Sequence, residues 1–279
     1  RLDGERRAMT AHDVASRASI SGRTKLVVII AHPVEHVRTP SAMNAHFAAT
    51  GRDAVVVPMQ VRPDDLGEVV GALRRLENLG GIVVTVPHKE AVVRLCDALT
   101  EEARLIGAVN VIRREPDGRL TGGQFDGEGF VAGLLAAGYG TRGRRVRMAG
   151  AGGAAAAIGF ALLRHGVTAL TVHNRTAARA QALVARLRTV LPGSVATVGG
   201  PDPAGHDIVV NATSLGLKPT DPLPVDPAYL RPEMLAAEVV MQPEITRFLA
   251  AAAARGCRTH GGLPMLTEQV AILADFVAP

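Results

Sequence analysis

The chain has 279 residues, 47% of them hydrophobic, and a formal net charge of +5 from 31 Lys and Arg against 26 Asp and Glu. That length suits two ordinary domains, each able to bury a core, and no run reaches the ~18 apolar residues of a membrane span. The basic balance raises a nucleic-acid partner, but the cations are scattered and no Trp and two Tyr leave little to stack bases on, so neither nucleic acid nor membrane is expected.

Arg1–Ala8, ahead of Met9, are expected to be either a leader or a cloning remnant, and no signal-peptide order is read at the start. Cys96 and Cys257 make neither a disulfide framework nor a metal-spaced cluster, which predicts a reducing cytoplasm. Strand-like runs at Leu26–Ile30, Ala54–Val61 and Gly81–Val86 alternate with helical patterns over Ser41–Ala49, Asp64–Asn78 and Glu90–Ile106. Alternation of this kind predicts an α/β domain with a parallel or mixed sheet. In its first loop His32 and His36 flank Pro33 and Glu35, and with no third ligand near they predict no metal site. Val109–Arg113, the turn Glu115–Gly118 and Leu120–Gly123 read as a closing hairpin.

A helix over Gly127–Ala137 leads to a strand at Val146–Ala149, a helix over Ala154–His165 and a strand at Ala169–His173. Arginines of the dense run Arg142–Arg147 are expected to form a solvated rim. Strands at Ile208–Asn211 and Leu235–Val240 continue a Rossmann-type sheet to about Arg258, with residues 219–232 an irregular connection and a last helix over Pro264–Phe276. The predicted division is a substrate-binding and catalytic domain (1–126), a dinucleotide-binding domain (127–258) and a C-terminal helix (259–279) packed back on the first, with the cleft between the two domains.

Gly150, Gly152 and Ala155 stand at GxGxxA spacing between a strand pattern and a helix pattern. The first glycine permits the tight turn, the second lets backbone approach a pyrophosphate, and the alanine keeps helix and strand close. Asn174 ends the second strand, where an NAD-binding chain carries Asp or Glu for the ribose hydroxyl, and Arg175 and Arg179 follow. Guanidinium forks suit a 2′-phosphate that a carboxylate would repel. The predicted cofactor is NADP, with NAD the weaker alternative and two solvated arginines at a helix start the bland one.

Of the 31 basic residues only three are lysines, Lys25, Lys89 and Lys218. Lys89 follows the apolar strand and Pro87, so its ammonium is expected in a helix's first turn, where the dipole disfavours a cation and favours proton exchange. A surface lysine offset by Glu90 explains the local sequence equally well. Asp126 stands before a helix, where it either caps that helix or faces Lys89 across the cleft.

Taken in order, the motifs HVRTPxxMN (His36–Asn44), VTVPHK (Val84–Lys89), GAVN (Gly107–Asn110), GQFDGEG (Gly123–Gly129), GAGGAA (Gly150–Ala155), NRTxxR (Asn174–Arg179), NATSLGL (Asn211–Leu217) and GLPMLTEQ (Gly262–Gln269) resemble the shikimate dehydrogenase family over Leu26–Phe276. The resemblance implies a catalytic pair, Lys89 and Asp126, and substrate contacts from Thr85, Asn110 and Gln269. It implies cofactor contacts from Gly150, Ala151, Gly152, Gly153, Ala154, Asn174, Arg175, Thr176, Arg179, Thr213 and Gly262. The small-molecule partner it implies is a cyclic hydroxy acid, and the assembly a monomer or homodimer.

Departures from the pattern matter as much. The family's two serines and tyrosine for the substrate carboxylate are Val37, Thr39 and Met241 here, its asparagine before VTVP is Val83, its threonine after GAVN is Val111, and its NTD triplet reads Gln124, Phe125, Asp126. Each lost polar partner in a dry site costs about 1–3 kcal/mol, so an altered substrate preference is expected. Rival readings are a quinate- or aminoshikimate-type dehydrogenase, or a non-catalytic NADP sensor, against which retention of both Lys89 and Asp126 argues.

Overall fold

A computed structural model describes residues 20–278 of the chain; Arg1–Ala8 lies outside them. The first sheet starts from β1 (Lys25–Ala31), whose run KLVVIIA is buried on both faces from Val27 onward. Helix α1 (Thr39–Thr50) takes Pro40 in its first turn and stops at the left-handed Gly51, φ 68°. There follow β2 (Ala54–Gln60), α2 (Leu66–Leu73), β3 (Leu79–Val84), β4 (Ala98–Leu99), α3 (Glu101–Ile106), β5 (Val111–Arg114) and β6 (Leu120–Gly123). Their order in the sheet is β2-β1-β3-β5-β6-β4. One face, with Val28, Ile30, Ile82 and Ile112, packs on α2 through Val70 and Leu73. The other, with Val27, Ile29, Val83 and Val111, packs on Met43 and Phe47 of α1 and on residues near the C-terminus.

The helix expected over Glu90–Ile106 is broken. Ala91–Leu95 form a 3-10 turn, and Asp97 then exchanges two hydrogen bonds with Leu120, donating its N–H (2.8 Å) and accepting from Leu120 N (2.7 Å). That long-range tie draws residues 98–99 into the sheet beside β6. Thr100 afterwards caps α3, its hydroxyl accepting from Ala103 N at 3.2 Å. The helix expected over Asp64–Asn78 is likewise confined to α2 and a preceding 3-10 turn, Pro63–Asp65.

The second half comprises α4 (Asp126–Ala136), β7 (Arg145–Ala149), α5 (Gly153–Arg164), β8 (Ala169–His173), α6 (Ala177–Val190), β9 (Ala196–Val198), β10 (Ile208–Asn211), β11 (Leu235–Glu238), α7 (Arg247–Ala254), β12 (Arg258–His260), α8 (Leu263–Thr267) and α9 (Val270–Val277). Its six strands are all parallel in the order β12-β11-β10-β7-β8-β9. Chain order reverses between β7 and β10, and ligands bind outside the carboxyl ends of strands at such a switch point. Helices α4, α5 and α6 cover one face and α7 the other. No helix of the described residues is long and apolar enough to cross a membrane.

Two expectations fail here for physical reasons. The last helix is not continuous: at Gln269 the backbone tightens, its N–H donating to Leu266 O at 3.1 Å, and α9 restarts after it. Arg147, expected on a solvated rim, is fully buried on β7, with no hydrogen-bond partner for its guanidinium among the described residues. Strand alternation turns it to the sheet face opposite Val146 and Met148, and burial pushes its pKa down to about 10.

The halves meet along α4. A Cβ on Gly127 would overlap the Ala157 carbonyl of α5, and one on Gly129 would stand 2.5 Å from Met265 O of α8. Bare glycine surfaces let both helices close on α4, which carries Asp126 at its start.

Candidate active site

The turn after β3 is fastened from several sides. Thr85 N donates to Ile30 O (3.1 Å) and His88 N to Thr85 O (2.9 Å). The buried His88 ring is bonded through Nε2 to Val61 O at 2.8 Å. Burial lowers the His88 pKa, against a raising influence from this bond. Val109 N then donates to Lys89 O at 2.8 Å, so the lysine backbone is tied to the chain entering β5. Lys89 therefore sits in a turn, and Pro87 does not open a helix.

Its ammonium reaches Asp126 Oδ2 at 2.5 Å, with the two residues 8% and 3% exposed. Phe125, not Asp126, holds the N-cap position of α4; the Asp126 carboxylate is engaged by Lys89 and Asn110 instead, and its N–H donates to Gln124 Oε1 at 2.9 Å. Asn110 spends both amide hydrogens at this point, on Asp126 Oδ1 and Gln269 Oε1, each at 3.0 Å. Its own Oδ1 accepts from Phe125 N at 3.0 Å. Lys89, Asp126, Asn110 and Gln269 thus form one buried, hydrogen-bonded cluster. A buried pair held by further hydrogen bonds keeps one geometry, and removing either partner strands a charge.

Beside it lies an apolar wall. Val37, Phe125 and Met241, all half-buried, pack on the cluster that contains Val83, Val111, Leu266 and Val270. Met241 also touches the core of the second half, so it stands where the halves meet. Thr39 is buried as the first residue of α1, and Thr85 is half-buried just past β3. The structure does not hydrogen-bond Val37, Thr39 or Met241 to the quartet; Val37 and Met241 belong to the neighbouring wall.

On the nucleotide side, Gly150 has φ +119°, and a Cβ there would lie 2.7 Å from Ala212 O. Helix α5 begins behind Gly152 with no side-chain cap, so its first N–H groups are free for an anion. Gly152, Gly153, Arg179 and Arg186 line a pocket there with Ala151 and Glu90. A Cβ on Gly153 would stand 3.0 Å from Lys89 Cβ, so the lysine stem lies against the glycine loop. Asn174, Arg175, Thr176 and Arg179 follow β8 at its carboxyl end, with no carboxylate of their own segment to repel a phosphate. This donor set fits a phosphorylated dinucleotide.

Thr213 is held by Asn211, to whose Oδ1 its hydroxyl donates at 2.6 Å. Asn211 in turn donates to Glu238 Oε2 at 3.3 Å. Glu238 is fully buried at the end of β11 and its pKa is raised to about 7 by burial, against weaker lowering from Thr246 and Asn211. Gly262 has no room for a side chain, since a Cβ would stand 2.5 Å from the Val239 and Val240 carbonyl oxygens. Sequence reasoning overlooked Glu238, whose place in the apolar run Leu235–Val240 gave no sign of a buried acid, and Glu90, noted there only as a neutralising neighbour of Lys89.

Residues 29–112 match the family model for the shikimate dehydrogenase substrate binding domain, and residues 136–214 that for shikimate / quinate 5-dehydrogenase. A protein of Rubrobacter xylanophilus named shikimate dehydrogenase (NADP(+)) is 43% identical over 90% of this chain and 89% of its own length. The Thermus thermophilus shikimate 5-dehydrogenase, solved with NADP(H) and shikimate, superposes with TM-score 0.79 at 32% identity, covering 90% of this chain and 92% of that one. Ligand-free 5-ketofructose reductase of Gluconobacter sp. strain CHM43 gives TM-score 0.77 at 34% identity, covering 92% and 94%.

Proposed function

The chain belongs to the shikimate dehydrogenase family, and from that premise we propose that Lys89 and Asp126 handle the proton of the reacting alcohol. The protein is an NADP-dependent oxidoreductase of the shikimate dehydrogenase type, interconverting a shikimate-like alcohol and its ketone. NADP supplies, when bound, the nicotinamide carbon that takes up or returns the hydride. In the reducing direction Lys89 donates a proton to the substrate oxygen, and in the oxidising direction it accepts one. Asp126 orients the ammonium and, with Asn110 and Gln269, holds the neighbouring hydroxyls. The carrying observation is the 2.5 Å Lys89–Asp126 pair buried against the glycine loop.

The adjoining wall of Val37, Phe125 and Met241 supports a shifted substrate preference. A carboxylate placed against it finds one hydroxyl, that of Thr39, where burial of an anion demands several partners. Preferred substrates therefore have fewer hydroxyls, or an acid group that is absent or held elsewhere; the Gluconobacter relative, by its name, reduces an uncharged keto sugar. Arg175 and Arg179 support NADP over NAD. The unpaired Cys96 and Cys257 fit a reducing cytoplasm.

Initial rates with shikimate, quinate, their deoxy analogues and uncharged polyhydroxy ketones, each against NADP and NAD, test the reading. Turnover with NADP and a preference for the less polar or uncharged compounds is the expected result. Full efficiency with shikimate would remove the altered pocket while leaving the reaction type intact.

A further inference from the structure

Helix α6 presents two arginines two turns apart toward the first half of the molecule. Arg186 Nη1 donates to the Ile106 carbonyl at the end of α3, at 2.6 Å. Arg179 instead meets a charge: its Nη2 lies 3.4 Å from both carboxylate oxygens of Glu90. Glu90 follows Lys89 directly, so this pair bridges the turn that bears the reacting lysine and the helix after the dinucleotide strand. A Cβ on Gly152 would lie 3.7 Å from Glu90 Oε1, and both partners line the pocket at the start of α5.

A carboxylate is the wrong charge for that place. The free N–H groups at the start of α5 favour an anion, and Glu90 supplies one where a diphosphate would come. It also occupies the guanidinium that the reading above gives to the 2′-phosphate. We propose that Glu90 is a resident anion of the cofactor site, holding Arg179 until the phosphates of NADP displace it, and so a determinant of NADP affinity and of NADP-over-NAD preference. The inference rests on Arg179 being the 2′-phosphate ligand.

With side chains 56% and 48% exposed, the pair adds little to folding stability. Its consequence is competitive. Every NADP molecule that binds must first take Arg179 from Glu90, whereas NAD has no 2′-phosphate to make the exchange. The same pair holds the two halves together at the rim of the cleft, so its exchange for a phosphate loosens that tie as the cofactor enters.

Calorimetric titration of NADPH and NADH into the wild type, Glu90→Gln, Arg179→Ala and the double variant tests this, with thermal melts to verify folding. Glu90→Gln is expected to tighten NADPH binding by about two- to five-fold, in line with an exposed ion pair, and to tighten NADH less. In the Arg179→Ala background the same substitution is expected to leave the NADPH-to-NADH ratio unchanged. An unchanged or lower NADPH preference in Glu90→Gln, with Arg179→Ala still losing that preference, overturns the inference alone. If Arg179→Ala keeps the preference, the reading of Arg179 falls and the inference with it.

Discussion

The two sides of the cleft are built in opposite ways. On the nucleotide side the proposed diphosphate site is backbone within one contiguous loop, Gly150–Gly153, at the head of a helix without a side-chain cap, with only the 2′-phosphate left to arginine side chains. The proton handling proposed for the substrate side would rest on four side chains from separate segments, and the Asn110–Gln269 bond alone joins residues 159 positions apart. Backbone sites tolerate sequence change wherever glycine geometry is kept. A convergent side-chain site depends on every element that delivers a member, so it is the side on which substitutions are expected to reshape chemistry, the proposal made for Val37, Val83, Val111 and Met241.

The largest effect should come from the convergent side. Lys89→Ala is expected to lower turnover by about 10²- to 10⁴-fold, the usual worth of a positioned acid–base group, while NADP still binds. Breaking a buried pair also strands Asp126, at about 3–5 kcal/mol, so a thermal melt belongs beside the rate measurement. A folded variant with normal turnover would erase the difference drawn between the two sides.

A smaller effect is expected from the seam that joins them. Gly127→Ala drives a methyl into the Ala157 carbonyl, which is backbone and cannot swing aside. Overpacking of this kind costs about 1–3 kcal/mol and shifts Asp126, the adjacent residue. Denaturant melts should show the loss, and the turnover of Gly127→Ala should fall more than its NADP affinity. Equal losses in both would mean that α4 serves the two sides alike.

This contrast also decides what the sequence made legible. Strands Ala169–His173 and Ile208–Asn211 lie where their sequence patterns put them, residue for residue, because inner parallel strands carry their signal locally, the second of them fully buried. The GxGxxA loop is as local. The break at Cys96–Asp97 was hidden because its cause, Leu120, lies on another strand. Local reasoning left Lys89 evenly balanced and favoured a cap for Asp126, since neither residue states its partner; the family resemblance brought them together, as it did Gln269. Arg147 misled because charge near a strand end usually means solvent, and here strand alternation prevailed.

The prediction with the least expected effect on activity tests whether the nucleotide side, for all its reliance on backbone, hides a titrating support. Glu238 is buried behind Asn211, which holds Thr213 over the switch point. Its pKa of about 7 in the fold exceeds the ordinary 4.5, so the folded state prefers the protonated acid. The sign follows: the stability linked to Glu238 is fully present below pH 4.5, declines as pH rises, and is lost once pH passes about 7. The decline is limited to about 1.4 kcal/mol per pH unit for one proton. Glu238→Gln keeps a neutral, hydrogen-bonding side chain and should flatten the profile of unfolding free energy between pH 5 and 8, which chemical denaturation at stepped pH would measure. A wild-type profile as flat as the variant's would mean that Glu238 titrates alike in folded and unfolded chains, leaving the loop over β10 without a pH-sensitive support.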